Sequence, residues 1–226
     1  MNIGEDFKNY YVKHLGKGSL DLHHYGNRIE SSMTPYILEE REMRATQMDI
    51  FSRLMRDRIL WVAGEVNDNM STIVQAQLMF LDSADKTDIT MHIDSPGGSV
   101  KSGLSMVDVM EYIACDIRTV NTGMAASMGS VLLGAGTKGK RSSLRFSRTM
   151  LHQSSGGTGG NIQDARISFI EWEKINKTLF DLLGSYCGKT AEQVMDDASR
   201  DLWLDSKEAL DYGIIDEIVK TKKKGI

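Results

Sequence analysis

Between Ile59 and Gly136 the chain switches repeatedly between short apolar runs and stretches of helical spacing, and this alternation limits its architecture more than any other feature. Ile59-Leu60-Trp61-Val62-Ala63 and the run from Asp88 to Asp94 have the length of strands. Asn69 to Ser83 places Ile73, Ala76, Met79 and Phe80 on one helical face. Ser102 to Ala114 does the same with Leu104, Val107, Met110 and Ile113. Arg118 to Asn121 is extended again, and Ala126 to Gly136 reads as helical. Strand and helix in turn predict an α/β domain of largely parallel strands linked by right-handed crossovers. In such sheets ligands collect beyond the carboxyl ends of the strands.

The flanks are read in the same way. Arg44 to Arg56 carries Met48, Phe51, Leu54 and Met55 on one stripe and is predicted helical. Ser154 to Gly160 is a glycine-rich, flexible stretch. A long helix is expected from Asn161 to about Leu183, with Ile162, Phe169, Trp172, Ile175, Leu179 and Leu182 near one side. That helix either packs on its own domain or projects to meet another subunit. Asp205 and Glu208 have capping-box spacing for a short helix ending near Gly213, and Ile214 to Val219 reads as a last strand. Residues 1–32 have weak periodicity and read as a poorly packed leader, residues 33–219 as one domain, and residues 220–226 as a solvated basic tail.

Charge and cysteine usage narrow the function. A net charge of −4 gives no footprint for nucleic acid. Two distant cysteines, Cys115 and Cys187, form neither a metal-type nor a redox pair, which fits a reducing compartment. The sequence predicts no cofactor and no bound metal. No run approaches the ~18 apolar residues of a membrane span, and residues 1–32 lack the apolar core of a secretory signal. A cytoplasmic protein without a membrane anchor is expected.

Two segments carry chemistry. Gly123-Met124-Ala125-Ala126-Ser127-Met128-Gly129 sets a serine among small residues where an extended run turns into a helix. Met150-Leu151-His152-Gln153 offers a base 25 residues later. A serine hydroxyl is a poor nucleophile until an imidazole takes its proton. At a helix start, nearby N–H groups and the dipole favour the negative charge of its transition state. Ser95-Pro96-Gly97-Gly98 follows a strand, where exposed glycine N–H groups are natural oxyanion donors. Acyl transfer by an activated serine, most plausibly peptide hydrolysis, is the predicted reaction. A base histidine needs a carboxylate to fix its tautomer. Spacing alone does not choose among Asp196, Asp197, Asp201 and Asp205. Of the other histidines, His23-His24 reads as a solvated pair and His92 as a satisfied structural residue inside a strand.

Over roughly Thr34 to Val219 the sequence resembles the ClpP family, the peptidase subunits of the Clp protease. The resemblance rests on Asp49 to Met55, Ser95 to Val100, Gly123 to Gly129, Met150 to Gln153 and Asp201 to Leu204 ahead of Glu208-Ala209. It implies a ClpP/crotonase-like fold of repeated β-β-α or β-α units with a projecting handle helix at about 154–183. It implies Ser127 as nucleophile, His152 as general base and Asp201 as orienting acid. The backbone N–H groups of Gly98 and Met128 match the oxyanion hole, and Gly156 and Gly157 match backbone that binds unfolded peptide. The implied activity is that of an ATP-dependent Clp protease proteolytic subunit, a serine endopeptidase. The implied assembly is a closed homo-tetradecamer of two heptameric rings, or a mixed ring with a paralogue. The chain has no Gly-x-x-x-x-Gly-Lys-Ser/Thr loop, so a separate Clp-type AAA+ unfoldase would consume the ATP. The other readings are a ring scaffold of weak activity and a crotonase-type acyl-CoA enzyme. The sequence departs from the family where Asp94 replaces Asn, where Ser154 replaces Pro, and at Ser142 to Ser147.

Overall fold

A computed structural model of the chain describes residues 36–41, 44–155 and 161–220. The chain divides into two compact units, residues 1–56 and residues 57–226. The described part of the first unit is an antiparallel hairpin, β1 (Tyr36–Arg41) and β2 (Arg44–Asp49), followed by helix α1 (Ile50–Arg56). The single helix expected from Arg44 to Arg56 is therefore replaced by a strand and a helix. Pairing with β1 claims residues 44–49, and the Asp49 carboxylate then starts the helix by accepting from the N–H groups of Phe51 and Ser52. The leader at 1–32 and the tail at 221–226 lie outside the described residues.

The second unit is the expected α/β domain. Strands β3 (Ile59–Ala63), β4 (Ile89–Ser95) and β5 (Ile117–Ala126) run parallel and adjacent. Helix α2 (Asp68–Ala84) connects the first two, and α3 (Val100–Tyr112) the next two. β5 is long enough to serve two neighbours. Its first half pairs with β6 (Ser142–Ser143), and its second half with β7 (Arg148–Leu151). Helix α4 (Met128–Gly134) follows β5 directly. Beyond β7 come the long helix α5 (Ile162–Cys187), α6 (Ala191–Asp197), β8 (Leu202–Leu204), α7 (Ser206–Tyr212) and β9 (Glu217–Ile218). β9 adds in parallel to β6, while β8 is antiparallel to β7. Ile214 and Ile215, read as part of the last strand, are buried but lie outside it.

The core is where strand alternation meets the two crossover helices. Leu60, Val62, Ile89, Met91, Ile93 and Ile117 are buried with Leu78 of α2 and Met106 of α3. Each such side chain contributes about 1.5–3 kcal/mol on leaving water. On α2 the observed face differs from the expected one. Ser71, Val74, Leu78 and Leu81 are buried, while Ile73, Met79 and Phe80 stay exposed. The helix carries two apolar stripes, and the buried one contains a serine. Ser71 belongs there because its hydroxyl donates to the Ser102 carbonyl at 2.7 Å. His92 also differs from expectation. Its Nδ1 is buried without a hydrogen-bond partner, its ring stacks on Trp61 at 4.8 Å, and burial pushes its pKa down.

Far from these strand ends, Arg141 is 1% exposed and closes the sheet's β6–β9 side. Its guanidinium donates to both carboxylate oxygens of Asp216 and to the carbonyls of Tyr186 and Gly213. Burial raises the Asp216 carboxyl, but the bonds from Arg141 outweigh it and hold the pKa at about 2.

α5 is capped by Asn161, which accepts from Gln163 and Asp164, and ends at Gly188 in the left-handed region at φ 69°. Its buried residues are Leu179, Phe180, Leu183 and Gly184. Ile162, Ile167 and Phe169 are exposed. Among the described residues no helix is long and apolar enough to cross a membrane.

Candidate active site

Three parallel strands end on one side of the sheet, and each hands over to a segment singled out above. β4 ends at Ser95 and is followed by Pro96-Gly97-Gly98; β5 ends at Ala126 before Ser127; β7 ends at Leu151 before His152. The expected helix from Ala126 to Gly136 instead begins at Met128, because Ala125 and Ala126 pair with Thr149 and Met150. Ser127 turns the chain between strand and helix at φ 54° and ψ −123°. That backbone is costly for a residue with a Cβ, at about 1–3 kcal/mol, and it turns the serine out of both ladders. The Ser127 N–H is held by the Met150 carbonyl at 2.9 Å.

The turn needs room. A Cβ on Gly97 would lie 2.7 Å from the Ser127 Cβ and from the Ala126 carbonyl. One on Gly129 would lie 2.8 Å from the Ser95 carbonyl. The small residues around Ser127 thus remove atoms that would displace it. Gly98 has φ 147°, and a Cβ there would meet the Val66 carbonyl at 2.3 Å. Among the described residues, the N–H groups of Gly98 and Met128 have no acceptor in the protein. Two free donors beside a serine suit a developing oxyanion.

His152 Nε2 lies 2.8 Å from Ser127 Oγ. His152 Nδ1 lies 3.4 Å from an Asp201 carboxylate oxygen, an ion-pair distance, with the Asp201 side chain 61% exposed. The sheet explains this pairing. β7 and β8 are in antiparallel register, with Leu151 opposite Leu202, so the next pair outward is His152 and Asp201. The other three aspartates have different partners. Asp205 caps α7 by accepting from Lys207 and Glu208, and Glu208 returns the bond to the Asp205 N–H. Asp197 accepts from Lys189 and Tyr212. Asp196 is exposed at the end of α6, where its backbone carbonyl accepts from the Ser199 N–H.

Asp94 is explained by an irregularity of β5. Ile93 pairs with Asn121 and Ser95 with Ala125, so one residue of β4 faces three of β5. The carboxylate fills the gap by accepting the Met124 N–H at 3.0 Å. Gly123 is required there, since a Cβ would lie 2.5 Å from the carboxylate. The charge that the sequence places near the glycine turn is thus spent on the bulge.

A pocket beside Ser127 and His152 is lined by Val100, Val131, Leu179, Phe180 and Leu183, with Ser154 and Asn176 among them. An apolar recess with a few polar groups is the usual form of a side-chain-binding site. The sequence reading missed Ser154 and Asn176 as site residues; the only signal was the serine directly after His152-Gln153. Trp172, on the apolar side of the long helix, is half-buried and donates to Ser154 Oγ at 2.8 Å. Gly156 and Gly157 lie outside the described residues. Among the described residues no group of His, Cys, Asp and Glu could hold a metal ion.

The chain is similar to known proteins over most of its length. The family model described as Clp protease matches residues 40–222. The chain is 47% identical over 221 residues to the "ATP-dependent Clp protease proteolytic subunit" of Porphyromonas gingivalis, covering 97% of this chain and 99% of the relative. It is 45% identical to the protein of that name from Bacteroides fragilis, over 96% of this chain and all of the relative. Its likeness to the protein of that name from Streptococcus mutans is 44%, over 84% of this chain and 99% of the relative.

Proposed function

The chain belongs to the Clp protease family, and from that premise we propose how it cuts: Ser127 is the nucleophile, His152 the general base and Asp201 the acid that orients it. The protein is the proteolytic subunit of an ATP-dependent Clp protease, a serine endopeptidase that degrades unfolded polypeptides and works with Clp ATPases. The observation that carries the residue roles is the 2.8 Å contact between His152 Nε2 and Ser127 Oγ, made by a serine held out of both strand and helix.

In the first step Ser127 Oγ attacks the scissile carbonyl while His152 Nε2 takes its proton. The carbonyl oxygen becomes an oxyanion between the N–H groups of Gly98 and Met128. One such donor is worth about 10²–10³ in kcat. The imidazolium is stabilised by Asp201 through Nδ1–H. The loose 3.4 Å contact suits a site awaiting substrate, since catalytic hydrogen bonds often tighten only in the Michaelis complex. His152 then gives its proton to the leaving amine, and water releases the acyl group by the reverse sequence. The apolar recess beside Ser127 accepts a substrate side chain. Gly156 and Gly157 bind substrate backbone by strand addition.

The working assembly is a tetradecamer of two heptameric rings in the cytoplasm, fed by an AAA+ unfoldase. Ser127→Ala tests the chemistry. Hydrolysis of a short unstructured peptide should fall by about 10⁶, with assembly unchanged by native mass spectrometry. Activity within about tenfold of the parent would reject Ser127 as the nucleophile.

A further inference from the structure

His152 belongs to a span with two anchors. On one side is Leu151, the fully buried last residue of β7. On the other is Ser154, which is bound to α5 by three hydrogen bonds. The Trp172 indole donates to Ser154 Oγ at 2.8 Å. Ser154 Oγ donates to Asn176 Oδ1 at 2.9 Å, and the Ser154 N–H donates to the same oxygen at 3.2 Å. The directions are forced. An indole N–H and a backbone N–H can only donate, so the hydroxyl accepts from one side and spends its proton on the amide oxygen. Trp172 and Asn176 are four residues apart and share a helix face. Leu179, Phe180 and Leu183 continue that face into the core. His152 and Gln153 are thus the two residues between a buried strand and a clasped serine.

We propose that Ser154, Trp172 and Asn176 are positioning residues for His152: they fix the carboxyl end of its span so that Nε2 stays within reach of Ser127. The inference rests on the catalytic reading of Ser127 and His152. The clasp matters because the other restraint is weak. Asp201 is largely exposed and 3.4 Å from Nδ1, so it holds the ring less firmly than a buried, hydrogen-bonded carboxylate would. A displacement of ~1 Å in a catalytic group can cost about 100-fold in rate. The clasp also makes the base depend on the long helix, since two of its three members belong to α5.

The test uses the full chain in its assembled form, with Ser154→Ala, Ser154→Thr and Trp172→Phe beside Ser127→Ala. The readouts are kcat and KM on a short fluorogenic peptide, the rate at which a fluorophosphonate labels Ser127, ring size by native mass spectrometry, and melting temperature. Ser154→Ala and Trp172→Phe should lower kcat about tenfold and slow labelling in proportion, with KM within about twofold and rings intact. Ser154→Thr keeps the hydroxyl and should restore most of both rates. Parental kcat and labelling in both Ser154→Ala and Trp172→Phe, with Ser127→Ala inactive, would overturn the clasp and leave the catalytic reading standing. A loss that follows ring dissociation in every variant would also overturn it, as a purely structural effect. An active Ser127→Ala would remove the catalytic reading and the clasp with it.

Discussion

Among the carboxylates of this domain that face a basic side chain, Asp216 and Asp201 are built in opposite ways. Asp216 meets Arg141 at 2.6 Å; the arginine is 1% exposed and all its bonds end on protein acceptors. Asp201 meets His152 at 3.4 Å with most of its own surface in solvent. The first pair is locked and chemically idle. Its proton affinity is driven so low that Asp216 stays charged throughout the physiological range. The second is open to solvent, and the Nε2 of its histidine lies 2.8 Å from Ser127 Oγ. A tight ion pair serves stability, whereas a loose one beside a nucleophile leaves the proton free to move.

The sharpest way to break this comparison is to change the loose pair. Asp201→Asn should lower kcat by about 10⁴ with little change in melting temperature, because an amide no longer fixes the tautomer or stabilises the imidazolium. Peptide turnover at matched folding measures this, and a larger loss from Asn at position 196, 197 or 205 would move the role elsewhere.

The locked pair should answer with the reverse pattern. Arg141→Met strands a largely buried carboxylate and should cost about 3–5 kcal/mol of stability, read from urea unfolding, while Ser127 labelling of the folded fraction is retained. Its pH dependence has a definite sign. The folded pKa of about 2 lies below the ordinary 3.8, so the stabilisation is complete above pH 4 and is lost as pH falls towards 2. With the carboxylate 15% exposed and partly screened, the parent should lose about 1–2 kcal/mol more than Arg141→Met over that window.

The smallest effect belongs to an aspartate with neither role. Asp205→Ala removes both capping bonds of α7 and should cost about 0.5–2 kcal/mol, with peptide turnover unchanged once the protein is folded. A rate loss approaching that of Asp201→Asn would blur the distinction between cap and catalyst.

Much of this was legible in the sequence, for physical reasons that differ by residue. The strands at 59–63 and 89–95 announce themselves by composition, and the Asp205 cap by its spacing from Glu208. Ser127 and His152 stand out because small residues and strand ends are local signals. Asp201 was not separable from its neighbours by spacing, because its position comes from the register of β8 on β7, which no local pattern encodes. The strain at Ser127 was hidden for a related reason. Its neighbours have good helix propensity, and pairing with β4 and β7 keeps them extended. On α2 two apolar stripes compete, and the winner is decided by packing against α3. The bond between Trp172 and Ser154 is not legible either, because it joins positions eighteen apart across a glycine-rich stretch.

The antiparallel docking of β8 has a consequence in time. Ser127 and His152 follow strands whose residues are complete by position 151, while Asp201 comes some fifty positions later. A ribosome releases the amino-terminal portion first. A nascent chain that had paired β5 with β7 would therefore hold Ser127 and His152 without Asp201. With the roles proposed above, the triad would be complete only once β8 had emerged and paired with β7.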